Sequence, residues 1–306
     1  MARLGGSSLS RSLRLATLGV IGAGAFVLGA QAQTPASTSL TSMQKNPDNW
    51  VMPTGTYNNW RYSPLKQINT NNVKNMQVAW SMSTGTDRGL EGQPIVIGNM
   101  MYYETSYPNY VYAIDLNHPD QIAWKFEPPH DSNAPPVACC DVVNRGPAFS
   151  DGMVYADALD GVLYALDAKT GKVVWQAKNA HPQDGQTMTG APMVVGKNVI
   201  VGVAGGEYGV RGYLTAYDAK TGKQVWRAYS EGPNKDMLMS ATHTINGATG
   251  KPIGAHSSIK TWQGDQWKVG EPHVLRDRQP GHVEPEPTPR QEPLVDDHHG
   301  AQPGNR

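Results

Sequence analysis

Three stretches of the chain share one alternation of apolar and polar positions. YAIDLNHPDQIAW ends at Trp124, YALDAKTGKVVW at Trp175 and AYDAKTGKQVW at Trp226. In each, apolar and aromatic residues alternate up to an aspartate, a polar turn follows, and a second β-forming run closes on tryptophan. Side chains two positions apart share a face of a strand, so the pattern predicts two strands joined by a tight turn. The copies recur about every fifty residues, the period expected of propeller blades. A four-stranded blade has two apolar faces that only neighbouring blades can cover, and a repeated tryptophan is a large plug for that interface. QVAW, ending at Trp80, reads as an earlier, degenerate copy. The expected fold is therefore all-β, a partial β-propeller of about four blades with a tryptophan in each repeat.

The repeated DAKTGK, from Asp167 to Lys172 and from Asp218 to Lys223, holds a glycine-lysine pair but lacks the earlier glycine and the following Ser or Thr of a phosphate loop. Its place in a hairpin favours a tight turn. His243 has no second histidine or carboxylate at a useful spacing and reads as an ordinary surface or core residue.

At the N-terminus, Arg3, Arg11 and Arg14 precede an apolar run from Leu15 to Leu28, and Ala30-Gln31-Ala32 supplies small residues for a signal peptidase. Residues 1–32 are expected to be a cleaved signal peptide, cut near Ala32 and Gln33, that sends the chain to the periplasm. The run is short and glycine-rich for a membrane span, and no later stretch approaches spanning length. Lys plus Arg and Asp plus Glu balance at 26 each, leaving no net field to attract nucleic acid or an anionic membrane. A small molecule is the expected partner.

The only cysteines, Cys139 and Cys140, are adjacent. Neighbouring α-carbons lie about 3.8 Å apart, below the usual disulfide span of roughly 4.4–6.8 Å, so a bond between them would be strained. The alternatives are such a vicinal disulfide, favoured in an oxidising compartment, or a pair of buried thiols, favoured in the cytosol.

Several motifs occurring in order, NNWRYSPLKQINTNNV, RGLEGQP, ACCDVVNRG, TMTGAP, GGEYGVRGYLTAYDAKTG and TWQGDQW, resemble those of periplasmic quinoprotein alcohol dehydrogenases of the methanol/ethanol type. The similarity runs roughly from Asn46 to Gly270. It implies an eight-bladed propeller with pyrroloquinoline quinone (PQQ) and a calcium or lanthanide ion at its axis. A primary alcohol is the implied substrate and a periplasmic cytochrome c the implied partner.

The same resemblance assigns site residues one at a time. Cys139 and Cys140 form a disulfide ring against one face of the quinone, a soft sulfur platform suited to a flat, polarisable group. Glu91, in RGLEGQP, hydrogen-bonds the cofactor edge. Arg145, in VVNRG, lies beside a cofactor carboxylate, where a planar guanidinium engages two oxygens. Thr189 supplies a hydroxyl, Gly205 and Gly206 allow close backbone approach, and Glu207 supplies the hard anionic oxygen that calcium or a lanthanide requires. Ala204 stands where many relatives carry a hydroxyl residue. Without the resemblance, Glu91 and Glu207 read as solvated loop residues, Arg145 as a partner of Asp141, and Thr189 as an ordinary β-residue.

From Glu271 to Arg306 the chain has no aromatic residue, and proline, histidine and charged residues dominate. Residues 33–270 are expected to form the N-terminal half of the propeller, and 271–306 a disordered tail translated out of frame. Read one base later, the codons for Gln279 through Glu286 permit Asn-Pro-Gly-Thr-Trp-Asn-Pro, and those for Leu294 to Gly300 permit Trp-Ser-Met-Thr-Ile-Met, both similar to strings of the family. On that expectation the family's catalytic aspartate lies beyond the break, no catalytic residue is assigned, and the chain is a truncated, inactive fragment. The alternatives are the nonfunctional product of a broken gene and a noncatalytic propeller-type scaffold resembling outer-membrane assembly factors. The scaffolds have no reason to keep ACCDVVNRG together with GGEYGVRG.

Overall fold

The computed structural model describes residues 39–254; the expected signal peptide and the 271–306 tail lie outside them. Twelve strands follow a four-residue helix, Leu40–Met43. They are β1 Ile95–Ile97, β2 Met100–Glu104, β3 Val111–Asp115, β4 Ile122–Phe126, β5 Ala148–Ser150, β6 Met153–Asp157, β7 Val162–Asp167, β8 Val173–Lys178, β9 Met193–Val195, β10 Asn198–Gly202, β11 Tyr213–Asp218 and β12 Gln224–Tyr229. They form three four-stranded antiparallel meanders, β1–β4, β5–β8 and β9–β12.

The period-two alternation decides which residues join adjacent sheets. Tyr155, Leu163 and Ala165, with Trp175 and Ala177 at the edge, turn to the third sheet and meet Val194, Val199, Val201 and Tyr217. Their chain neighbours Val154, Ala156, Tyr164 and Leu166 turn the other way, onto Ile95, Tyr102, Val111, Ala113 and Trp124. Each blade is thus apolar on both faces, and the core is the pair of seams between blades.

The tryptophans join the blades through the hairpin turns. Trp124 Nε1 donates to the carbonyl of Ala168 at 3.0 Å, and Trp175 Nε1 to that of Ala219 at 3.0 Å. Their rings cover Gly171 and Gly222, where an added Cβ would come within 2.6 Å of the indole. Both glycines have positive φ, +70° and +68°, a conformation costly for any other residue. In the turns Asp167 and Asp218 accept the hydroxyl of Thr170 or Thr221 at 2.7 and 2.8 Å and nearby backbone N–H groups. DAKTGK is therefore the expected tight turn. Asn246–Gly250 repeats it with asparagine for aspartate, although among the described residues nothing lies within 4 Å of a Cβ on Gly250.

The described residues complete three blades of the expected partial propeller, and among them the Trp80 copy forms no strand: residues 76–94 are mostly exposed. The free edge of β1 is taken by Trp50, which exchanges backbone hydrogen bonds with Val96 at 2.8 and 2.9 Å. Leu40, Val51 and Tyr57 then pack over the seam between the second and third sheets, and Tyr57 donates its hydroxyl to the Val194 carbonyl at 2.6 Å. The face of the third sheet that points away from the second is uncovered among the described residues. Leu214 there is 51% exposed, whereas Leu163 at the same position of the second sheet is 0% exposed.

Candidate functional site

Antiparallel pairing brings the starts of β1, β5 and β9 to the same end as the finishes of β2, β6 and β10. Every site residue expected from the sequence lies at that end. Glu91 precedes β1; Cys139, Cys140 and Arg145 precede β5; Thr189 precedes β9; Gly205, Gly206 and Glu207 follow β10.

Arg145 draws three blades together. Its Nη2 lies 3.1 Å from Glu91 Oε2, and its Nη1 donates to the Thr189 carbonyl at 2.7 Å. This replaces the Asp141 partner suggested by sequence alone: Asp141 Oδ1 instead accepts the N–H of Val142 at 2.8 Å. The Arg145 and Glu91 side chains are each 51% exposed, so the ion pair still faces outward. Thr189 meets Arg145 through its backbone, and no hydrogen bond to its hydroxyl is seen among the described residues.

Cys139 and Cys140 are joined by a disulfide, and both are exposed, not buried thiols. Asp141 follows in the left-handed region, φ +73°, turning the chain back toward the blade. A Cβ on Gly89 would sit 3.5 Å from Asp141 Oδ2, which puts the RGLEG loop beside the disulfide turn.

On the third blade, Thr187 and Ala204 exchange backbone hydrogen bonds at 3.2 and 2.8 Å. Gly205 is buried at φ +127°, and any side chain there would strike the Gly185 carbonyl. That glycine starts the short turn Gly206–Tyr208, whose Gly206 has open space around it and whose Glu207 is exposed. The Glu207 carboxylate makes no ion pair or hydrogen bond among the described residues, which also contain no cluster of three or more His, Cys, Asp or Glu able to hold a metal. His243 is exposed and bonds through Nδ1 to Ser240 and Thr242, as an ordinary surface residue.

Beneath the rim lies a polar cluster that sequence reasoning missed. Glu104, Asn144 and Asp157 are buried, with Asn144 Nδ2 donating to Glu104 Oε1 at 3.1 Å and to the Asp157 carbonyl at 2.8 Å. Burial pushes both carboxyls well above the usual range, that of Glu104 further because of the neighbouring Asp157. The available signal was an acid closing the strand MMYYE and another closing MVYAD, at the same place in successive repeats.

Meanders stacked face to face through tryptophan and turn glycine define a β-propeller protein. Residues 50–252 match the model of the PQQ family, glucose/ethanol/alcohol dehydrogenase β-propeller domain, and the chain belongs to that family. It is 49% identical over 258 residues to a lanthanide-dependent methanol dehydrogenase of Methylorubrum extorquens, covering 84% of this chain and 42% of the relative. Methanol dehydrogenase [cytochrome c] subunit 1 of Methylobacterium organophilum is 45% identical over 241 residues, 77% of this chain and 38% of the relative. Among solved structures, a europium-containing methanol dehydrogenase superimposes with a TM-score of 0.71 at 48% identity, over 75% of this chain and 40% of that one. The chain spans about two fifths of the length of these relatives.

Proposed function

We propose that this chain carries part of the cofactor seat of a PQQ- and metal-dependent alcohol dehydrogenase. The observation that carries the reading is the Arg145 guanidinium, braced by Glu91 and the Thr189 carbonyl and half-exposed at the rim that also bears the Cys139–Cys140 disulfide. These residues fit a flat tricarboxylate. Arg145 engages a carboxylate with two N–H groups, Glu91 accepts from the edge of the ring, the Thr189 hydroxyl donates, and the disulfide covers one face and excludes water from it. Open space at Gly206 leaves room for close approach, and Glu207 offers an anionic oxygen to calcium or a lanthanide. Bound there, the quinone would supply two-electron oxidation and the ion a Lewis acid. Glu207 alone is too few donors for such an ion, so further ligands must come from the cofactor and from other residues.

A primary alcohol as substrate and a cytochrome c as electron acceptor follow from the names of the relatives. No residue described here is assigned as the base that takes the hydroxyl proton. Export to the periplasm is supported by the charged and apolar pattern of residues 1–32 and by the disulfide, which belongs in an oxidising compartment. Among the described residues no helix is long and apolar enough to cross a membrane. The reading of 271–306 as out of frame is checked by sequencing the gene across the codons for Gly270 and Glu271.

The test is titration of the purified chain with PQQ, followed by quenching of tryptophan fluorescence. Saturable binding is expected, weakened about tenfold or more in Arg145→Lys, because an ammonium cannot reproduce the fork of a guanidinium. Absence of saturable binding, or equal binding by the Lys variant, would overturn the assignment.

A further inference from the structure

The buried cluster beneath the rim is tied to Arg145 through the backbone. Asn144 immediately precedes Arg145, and its Oδ1 accepts the N–H of Gly146, which follows it, at 2.7 Å. One amide side chain therefore clamps the peptide on the far side of Arg145 while its Nδ2 is held by the ends of β2 and β6. The Arg145 carbonyl accepts from the N–H of Gln93 at 3.4 Å, which links the same loop to the Glu91 segment. The segments run so close that a Cβ on Gly92 would strike the Glu104 carbonyl and lie 3.5 Å from that of Asn144, and one on Gly146 would lie within 3.1 Å of the Gln93 nitrogen.

Such a cluster is not explained by stability alone. Two carboxyls are buried around a single amide, and Glu104 Oε2 has no hydrogen-bond partner among the described residues. An apolar filling of this space would avoid leaving that oxygen unsatisfied. What the polar set provides is direction, since Asn144 can meet Glu104, the Asp157 carbonyl and Gly146 at once in only one orientation.

We propose that Asn144, anchored by Glu104 and Asp157, is a positioning residue that holds Arg145 between Glu91 and the Thr189 carbonyl. The effect on cofactor binding rests on the function proposed above; the effect on Arg145 itself does not.

Two readouts on the full chain separate these. Without ligand, the guanidinium N–H signals of Arg145 are followed by NMR. They are expected to be resolved in the wild type and lost to exchange in Asn144→Ala; unchanged signals would overturn the proposal. With PQQ, Asn144→Ala is expected to weaken binding about tenfold, the worth of about one hydrogen bond. Asn144→Ala/Arg145→Ala should bind no worse than Arg145→Ala alone, because Asn144 acts through Arg145. An additive loss in the double variant would mean that Asn144 acts independently of Arg145 and would overturn the proposal. If the wild type binds no quinone, the proposed function fails while the NMR measurement still decides the positioning role. Glu104→Gln keeps the acceptor for Asn144 and should preserve the Arg145 signals. Glu104→Ala should lose them, and it serves as the test if Asn144→Ala does not fold.

Discussion

Replacing Gly222 by alanine should destabilise the chain more than replacing Gly196, although both glycines occupy left-handed backbone in hairpin turns, at φ +68° and +60°. A left-handed alanine costs roughly 1–2 kcal/mol at either place. At Gly196 the new Cβ meets nothing within 4 Å among the described residues, and the cost stops there. At Gly222 it comes to 2.6 Å from Trp175 Cε3 and 2.7 Å from Cδ2, against a ring held by its hydrogen bond to Ala219. Forcing that ring out of its packing adds about 1–3 kcal/mol. The sum, about 2–5 kcal/mol, is a large share of the roughly 5–15 kcal/mol that keeps a domain folded. Urea unfolding of the purified chain, followed by tryptophan fluorescence, measures the difference as a shift in midpoint at constant slope. Gly171→Ala, beneath Trp124, should behave like Gly222→Ala. Equal losses at Gly222 and Gly196 would refute the docking of tryptophan on glycine as the joint between blades.

Three further outcomes follow from the same structure. Leu163→Ala should cost about 2–5 kcal/mol because Leu163 is fully buried, whereas Leu214→Ala, on the uncovered face, should stay within about 0.5 kcal/mol; similar losses in urea unfolding would show that this face is covered. Glu104 is held above its ordinary pKa by burial, so the stability it contributes is present at acid pH and lost as pH rises from about 4 toward its folded value. Glu104→Gln should flatten that decline in a series of unfolding midpoints, and an unchanged pH dependence would contradict the buried carboxyl. Mass spectrometry of unreduced chain from an exported preparation should find Cys139 and Cys140 joined in one peptide; two alkylatable thiols would contradict the bond.

The blades were legible because their causes are local. Alternation, the polar turn and the closing tryptophan all lie within a dozen residues; the Asp-x-x-Thr-Gly turn recurs in the repeats that close on Trp175 and Trp226, and Trp124 and Trp175 each dock on the turn of the next repeat. The Trp80 copy differs: an aromatic residue after a short apolar run has no partner strand among the described residues, and Trp50 occupies the edge of β1. The candidate site residues came from motif resemblance, and the rim gathers those motifs because each lies beside a strand start or finish at the same end. Pairings across blades were not legible. Nothing near Arg145 in the sequence points to Glu91 or to the Thr189 carbonyl, and the clamp formed by Glu104 and Asp157 on Asn144 appears only when the two strand ends are stacked.

The most direct test of the central claim is the crystallographic position of PQQ in crystals of the chain grown with saturating quinone and calcium or a lanthanide. The expected result is planar density against the Cys139–Cys140 disulfide, a carboxylate at the Arg145 guanidinium, and the ion beside Glu207. Quinone bound elsewhere on the blades, or a rim left empty at saturation, would contradict the account.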